Sequence, residues 1–276
     1  MSLDLLRDRL AQPTPSFSPF LMLGDPDPET SLGVCRAALA GGADMLELGI
    51  PFSDPCADGP SVQAACSRAL GRGTDVATAF QLMMTLREGS DVPFNLLVYG
   101  NLAHRRGWGR FVQEAARAGA SSILVPDVPL EEGGALAAAC ADQNVGLVHL
   151  AGPRTDDARL QQLGAASTGF LYLAGRQGIT GARHDDVPQQ VRDAVRRAVT
   201  VQPAAVCVGF GLKTRGHLEA VYDAGARVAI VGSALLDRIA THLDERGRPR
   251  DTDTLLRDME RRAAGLAGCG AETKED

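Results

Sequence analysis

Lysine is almost absent from this sequence of 276 residues. Lys213 and Lys274 are the only lysines among 28 basic side chains, and the others are arginines. Because a guanidinium cannot form an imine with a carbonyl substrate, lysine-based carbonyl chemistry is disfavoured. The histidines and cysteines are dispersed, and no group of them has the spacing of a metal site. The sequence therefore predicts neither a metal nor another bound cofactor.

Long apolar runs and clusters of basic residues are also missing. No stretch approaches the roughly 18 apolar residues of a membrane span, and the first residues lack the order of an export signal. The formal net charge is −6, and the arginines are scattered, which disfavours nucleic-acid binding. The six cysteines form no CxxC pair and are expected to be reduced thiols. We therefore expect a cytoplasmic protein.

Short apolar runs recur eight times, and each is followed by a stretch with helical spacing. The runs cover residues 19–24, 43–51, 93–100, 121–127, 146–152, 170–175, 204–211 and 228–233. Helices are predicted between them, for example over 29–39 and over 75–87, where Arg87 shares a stripe with apolar residues. Strands separated by helices are parallel, and runs that are apolar throughout indicate a sheet covered on both faces. Eight repeats favour a closed (β/α)8 TIM barrel over an open doubly wound sheet.

The chain shows no sign of a second domain. No proline- or serine-rich linker and no change in composition interrupts the repeats before about Asp244. Beyond that point, an arginine-rich segment precedes a last amphipathic helix, predicted over 254–266, and a polar tail. We expect residues 1–276 to form a single (β/α)8 barrel domain, in which about 244–276 are an extra C-terminal helix and the tail.

The second apolar run contains an isolated glutamate. Side-chain alternation directs Leu46, Leu48 and Ile50 towards the helices, which leaves Glu47 pointing into the barrel. A carboxylate there loses hydration, so its pKa should rise to the range in which it gives and takes a proton near neutral pH. The residues alone leave open a structural role, with Glu47 satisfied by a buried arginine or by backbone amides.

The segment 51–60 after this strand is long and rich in proline for a βα connection. It should form a loop above the carboxyl ends of the strands, where parallel barrels place their active sites. The loop carries Asp54 and Asp58. Taken alone, each is better explained as a turn or helix-cap residue, since Asp58 followed by Gly59 is a common turn signal.

Glycines follow the seventh and eighth strands, at Gly209, Gly211 and Gly232. Barrels commonly bind phosphate there, because glycine lets backbone N–H groups approach the oxygens and a short helix offers its positive end. The glycines could instead serve tight turns only. After the sixth strand, 176–181 resembles a flexible lid, with Gly181 as a further amide donor.

Four large side chains near strand ends could form a slot for an aromatic ring, although such residues are more often plain core. They are Phe20, Leu97, Tyr172 and Phe210.

Six segments, taken in order over about 17–236, closely resemble the tryptophan synthase alpha chain family. They are LGDP at 23–26, ELGIPFSDP with ADGP within 47–60, PDVP at 126–129, GITG at 178–181, GFG at 209–211 and GSA at 232–234. The second segment is highly specific, whereas many phosphate-binding barrels share the glycine motifs. The resemblance implies a (β/α)8 lyase that cleaves indole-3-glycerol phosphate to indole and glyceraldehyde 3-phosphate. Its usual partner is a pyridoxal-phosphate-dependent beta chain that consumes the indole, in a heterotetramer.

The resemblance also implies a role for each matching position. Glu47 would be the acid/base, Asp58 would bind the indole N–H, Thr180 would close onto Asp58, and Tyr172 would lie beside Glu47. The remaining implied positions are the ring pocket, formed by Phe20 and Leu97, and the phosphate site, formed by Gly181, Phe210, Gly211, Gly232 and Ser233.

The scarcity of lysine agrees with this chemistry. Breaking a carbon–carbon bond in a retro-aldol step needs an electron sink, normally a lysine imine or a metal-polarised carbonyl. Indole can be its own sink once C3 is protonated, because the cation at the ring nitrogen accepts the bonding electrons. A carboxylate facing the N–H stabilises that cation, which suits Asp58, while Glu47 suits proton transfer at C3.

Two alternatives stay open, and departures from the family pattern motivate the first of them. Met22 stands where threonine is common, Cys56 replaces a larger aliphatic residue, and the lid around 183–186 is short. The first alternative is a stand-alone lyase that releases free indole for another pathway. The second is a non-catalytic phosphate-binding barrel that activates a partner enzyme.

Overall fold

Strands and helices alternate along the chain in a computed structural model that describes residues 2–174, 186–209 and 211–269. The strands are β1 (Ser16–Met22), β2 (Leu46–Gly49), β3 (Phe94–Leu97), β4 (Ala120–Leu124), β5 (Gly146–Ala151), β6 (Phe170–Ala174), β7 (Ala205–Gly209) and β8 (Val228–Val231). The helices of the described ranges are α1 (Ser2–Ala11), α2 (Pro28–Ala40), α3 (Pro60–Gly71), α4 (Val76–Arg87), α5 (Gly100–Arg106), α6 (Trp108–Arg117), α7 (Gly134–Asp142), α8 (Asp157–Ala166), α9 (Gln189–Val201), α10 (Arg215–Asp223), α11 (Ser233–Thr241) and α12 (Thr252–Ala267). The eight predicted strands are confirmed, with ends that shift by up to three residues.

The strands close into a parallel barrel in chain order, because β1 pairs with both β2 and β8. The predicted (β/α)8 fold is therefore confirmed. The register sets Glu47 of β2 opposite Phe20 of β1 and opposite Asn95 of β3. Since paired positions in a parallel sheet point to the same face, these side chains all point into the barrel.

The first strand begins earlier than the prediction of residue 19. Ser16 already pairs with Val228 of β8, and its backbone N–H donates to the carbonyl of Arg227. Ser16 and Ser18 interrupt the apolar pattern that predicts strands, so the predicted start is too late. Pairing with β8 extends the strand to Ser16, and both serines are buried in the barrel.

Two helices outside the eight repeats cover the barrel. Helix α1 contacts β4, and its Leu3 and Leu6 are buried. Helix α12 confirms the predicted last helix and packs against α2. A Cβ at Gly41 would lie 2.4 Å from the carbonyl oxygen of Glu260, so glycine permits this close approach. None of the described helices is both long and apolar enough to cross a membrane.

Arg87 shows how a charged residue can occupy the predicted apolar stripe of α4. Its guanidinium donates to the carbonyls of Ser90 at 2.8 Å, Val92 at 2.9 Å and Gly119 at 2.9 Å. It also lies over the ring of Phe94, 3.8 Å from the centroid. Because Val92 and Gly119 precede β3 and β4, Arg87 joins α4 to the amino ends of two neighbouring strands.

We predict that Arg87→Met lowers the free energy of unfolding by about 2–4 kcal/mol, since the methionine leaves three partly buried carbonyls without their donor. Denaturant unfolding measures the change. The control is Arg117→Met, which alters an exposed arginine and should change stability by less than about 0.5 kcal/mol. Equal losses in the two variants would contradict the role assigned to Arg87.

Candidate active site

A cavity with about 510 Å³ of empty space, its open mouth included, lies at the carboxyl ends of the strands. Its lining brings together seven residues predicted from the sequence, namely Phe20, Glu47, Asp58, Leu97, Tyr172, Gly232 and Ser233. It also includes residues that the sequence reasoning missed, namely Gly59, Ser61, Val62 and Ile230. Ile230 lies on β8, two residues before Gly232, so side-chain alternation could have placed it in the cavity lining.

Glu47 lies inside the barrel, as alternation predicted, and only 1% of its surface is exposed. The amide Nδ2 of Asn95 donates to Oε1 at 2.6 Å, and the Tyr172 hydroxyl donates to Oε2 at 3.4 Å. Burial raises the pKa of Glu47 to about 8, against the opposing effect of these two hydrogen bonds, and the charge of Asp58 adds to the rise. These contacts involve an amide and a phenol, not the arginine or backbone amides of the structural alternative.

The helix-cap interpretation is wrong for Asp58, whereas the turn is confirmed, because the Asp58 backbone N–H donates to the carbonyl of Pro55 at 3.0 Å. Helix α3 is capped by Gly59 without a side-chain hydrogen bond, and the Asp58 carboxyl group is buried in the cavity wall. The Tyr99 hydroxyl donates to its Oδ2 at 2.7 Å. Burial raises the pKa of Asp58, and the hydrogen bond from Tyr99 opposes that rise. Asp54, by contrast, is exposed and accepts a hydrogen bond from the Ser53 hydroxyl.

Tyr99 is the main site residue that the sequence did not reveal. Its ring stacks on Phe52, with centroids 5.3 Å apart, and its hydroxyl accepts a hydrogen bond from the Ala57 N–H at 3.1 Å. It therefore holds the loop after β2 at two places and orients Asp58 as well. Alternation offered a signal, because Tyr99 lies two residues beyond the inward-facing Leu97.

Glycines give the large side chains of the cavity their room. A Cβ at Gly209 would lie 1.8 Å from the Tyr172 hydroxyl, so only glycine lets this tyrosine reach towards Glu47. A Cβ at Gly232 would lie 3.1 Å from the Phe20 ring. These glycines therefore serve side-chain packing as well as the turns considered from the sequence.

The predicted phosphate positions lie partly within the described residues. Gly232 and Ser233 line the cavity at the amino end of α11, where the helix dipole favours an anion. Gly211 has φ +95°, which favours glycine, and does not belong to the cavity lining. Thr180, Gly181, Phe210 and the predicted lid lie outside the described residues.

Lys213 and Met22, which the sequence analysis singled out, lie outside the cavity lining. Lys213 is exposed and is not part of the cavity lining, and Lys274 lies outside the described residues. Met22 is buried beside Cys66, with their sulfur atoms 3.9 Å apart, and does not line the cavity either. A Cβ at Gly49 would lie 2.9 Å from the Met22 Cε and 2.9 Å from the Phe20 Cζ, so glycine at this position lets both side chains approach β2.

We predict that Glu47→Gln stabilises the protein in alkaline solution. The folded protein keeps a proton on Glu47 up to about pH 8, whereas the unfolded chain releases it near the ordinary value of 4.5. The stability that this proton contributes is complete below the ordinary pKa and is lost as the pH rises through 8. Calorimetry should show a melting temperature advantage of Glu47→Gln that grows from pH 5 to pH 9. Exposed Glu88→Gln is the control, and the same pH trend in both variants would contradict the prediction.

Known proteins resemble this chain over most of its length. A family profile described as tryptophan synthase alpha chain matches residues 6–263. The alpha chain of Corynebacterium aurimucosum is 42% identical over 237 residues, 86% of each chain, and that of Edwardsiella ictaluri is 44% identical over 227 residues, 82% of this chain and 84% of the relative. The solved tryptophan synthase complex from Pyrococcus furiosus contains a chain with 32% identity and a TM-score of 0.80, over 92% of this chain and 98% of that one. This chain belongs to the tryptophan synthase alpha chain family.

Proposed function

We propose that Glu47 and Asp58 are the catalytic carboxyl groups with which this chain cleaves indole-3-glycerol phosphate to indole and glyceraldehyde 3-phosphate. As a member of its family, the chain is a carbon–carbon lyase and the alpha subunit of tryptophan synthase. One observation carries the residue assignment. Two buried carboxyl groups line the same cavity, and each has its pKa raised by burial.

Glu47 is suited to donate the first proton. With a pKa of about 8, it is mostly protonated at neutral pH and can protonate C3 of the indole ring. This step leaves a positive charge at the ring nitrogen. Asp58, as a carboxylate that accepts the N–H, stabilises that charge in a site with little access to water.

Glu47 then becomes the base. Its carboxylate takes the proton from the glycerol hydroxyl beside the scissile bond, by itself or through a relay. The oxygen forms the aldehyde of glyceraldehyde 3-phosphate, the carbon–carbon bond breaks, and its electrons return to the ring to neutralise the nitrogen. Glu47 ends the cycle protonated, so the atoms and charges balance without an imine or another cofactor.

The remaining cavity residues suit the two ends of the substrate. Phe20, Leu97 and Tyr172 offer apolar surface to the indole ring, and Thr180 is assigned to closure over Asp58. The phosphate is assigned to Gly181, Phe210, Gly211, Gly232 and Ser233. The amino end of α11 supports this assignment, because it directs a positive dipole towards the cavity.

We also propose that the chain works in the cytoplasm in a heterotetramer with a pyridoxal-phosphate-dependent beta chain. The likeness to a chain of the Pyrococcus furiosus complex supports this assembly. Neither alternative from the sequence is favoured by the comparisons. A non-catalytic activator would have no use for two buried carboxyl groups in one cavity, and the relatives carry the name of the alpha chain, not that of a separate indole-releasing lyase.

We predict that Glu47→Gln lowers kcat by about 10²–10⁴-fold with little change in ligand affinity, because glutamine fits the site but transfers no proton. Asp58→Asn should cost about 10²–10³-fold, because the amide does not offset the charge on the ring nitrogen. Indole release by the isolated chain is the measurement. Exposed Asp54→Asn, in the same loop as Asp58, is the control and should keep the wild-type rate. Wild-type turnover in either cavity variant would rule out the mechanism.

We predict that the purified chain alone is a weak lyase and that it becomes more active when a beta chain is added. The loop 51–59 borders both the cavity and the surface, so contact with a partner there can reposition Asp58. Co-purification and indole release with and without the beta chain test this expectation. Full activity of the isolated chain, together with no detectable complex, would instead support the stand-alone lyase.

A further inference from the structure

We propose that Asn95 and Ser122 are positioning residues that hold the Glu47 carboxyl group in its working orientation. This proposal rests on the proposed function only for the catalytic role of Glu47. Neither residue lines the cavity, so neither is expected to touch the substrate.

The three side chains form a line across neighbouring strands inside the barrel. Asn95 of β3 is paired with Glu47 of β2, and Ser122 of β4 is paired with Asn95. The Asn95 Nδ2 donates to Glu47 Oε1 at 2.6 Å, and the Ser122 hydroxyl donates to Asn95 Oδ1 at 2.8 Å. All three side chains are buried, so water does not compete for these bonds.

The direction of the two bonds explains why the pair acts as a unit. When Glu47 is ionised, as it must be to act as the base, its carboxylate can only accept hydrogen bonds, so the Asn95 amide must present its NH2 group to Glu47. The Ser122 hydroxyl donates to the amide oxygen and thereby keeps that oxygen on the β4 side. If the amide turned over, its oxygen would face a carboxylate oxygen, and the two acceptors would repel each other.

The far end of the line has a rigid support. A Cβ at Gly146 would lie 3.2 Å from the Ser122 Cβ, and one at Gly169 would lie 3.7 Å from it. The serine is therefore enclosed by closely approaching backbone, which limits its movement. Asn95 anchors Oε1 firmly, while the contact of Tyr172 with Oε2 is longer, at 3.4 Å, so Oε2 is the oxygen better placed for proton transfer.

The pair should also influence the ionisation of Glu47. The titratable groups that face Glu47 are Asp58 from the loop after β2, Tyr172 from β6 and Cys207 from β7. Asp58 disfavours the carboxylate, as does burial, whereas the bonds from Asn95 and Tyr172 favour it. Removing the Asn95 donor should therefore raise the pKa of Glu47.

The test compares Asn95→Leu, which keeps nearly the same shape without a donor, with Ser122→Ala and the double variant. Isotope-edited infrared titration, assigned by the signal that Glu47→Gln removes, measures the ionisation of Glu47 directly. The dependence of kcat/KM on pH is measured in parallel. We expect Asn95→Leu to shift the Glu47 titration, and the limb of the pH profile that it governs, upward by about one pH unit.

Ser122→Ala should shift the titration in the same direction by less. The double variant should match Asn95→Leu alone, because the serine acts through the asparagine and the effects are not additive. Ser121→Ala is the matched control, since Ser121 is an equally buried serine of β4 whose hydroxyl instead accepts from the Phe94 N–H at 3.3 Å. It should lose stability without moving the Glu47 titration.

An unchanged Glu47 titration in Asn95→Leu, or additive shifts in the double variant, would overturn the proposal. If Asn95→Leu does not fold, Asn95→Asp and Ser122→Ala decide instead. The new carboxyl group should then raise the pKa of Glu47 by repulsion, and an unmoved titration in both variants would again overturn the proposal. If the variants shift the Glu47 titration but the wild-type chain releases no indole from indole-3-glycerol phosphate, the positioning pair is supported and the proposed function is rejected.

Discussion

The removal of the Glu47 carboxyl group from water is the constraint on which the site depends. The strand that carries it is buried on both faces, and only 1% of the Glu47 surface is exposed, so the acid group has little contact with water. Burial raises its pKa to about 8, and the protein offers two neutral donors, Asn95 and Tyr172, in place of a cation. An arginine partner would keep the group ionised and would remove the proton that the proposed mechanism needs. Because Glu47 has these neutral partners, its ionisation at high pH lowers the stability of the folded protein.

The sequence predicted the features that depend on the spacing of apolar residues and on the alternation of side chains along a strand. The eight strands, the helices between them and the inward direction of Glu47 follow from local alternation, which the structure confirms. The contacts of Asp58 with Tyr99 and of Asn95 with Ser122 join residues at least 27 positions apart, and their register is set by strand pairing in three dimensions. Asp58 illustrates the difficulty, because its neighbour Gly59 signals a turn whether or not the carboxyl group enters a cavity.

Gly209 and Gly232 show the same limit of prediction from sequence. The sequence suggested that Gly209 and Gly232 serve phosphate binding or turns, and their position at strand ends agrees with both. Gly209 is also needed because the Tyr172 hydroxyl occupies the place of a side chain, and Gly232 because the Phe20 ring approaches closely. Such steric reasons arise between strands that are neighbours only in the closed barrel. A sequence shows which residue is small but does not show what fills the space beside it.

In the proposed mechanism, the two carboxyl groups divide their work because each affects the charge of the other. Burial raises the pKa of Asp58, and the short hydrogen bond from the Tyr99 hydroxyl opposes that rise and favours the carboxylate form. Its negative charge then favours the protonated form of Glu47. The carboxylate needed beside the ring nitrogen thereby helps to keep the acid needed at C3. When the ring takes up the proton, the positive charge at nitrogen offsets the charge of Asp58, and the cost of ionising Glu47 falls at the moment when it must act as the base.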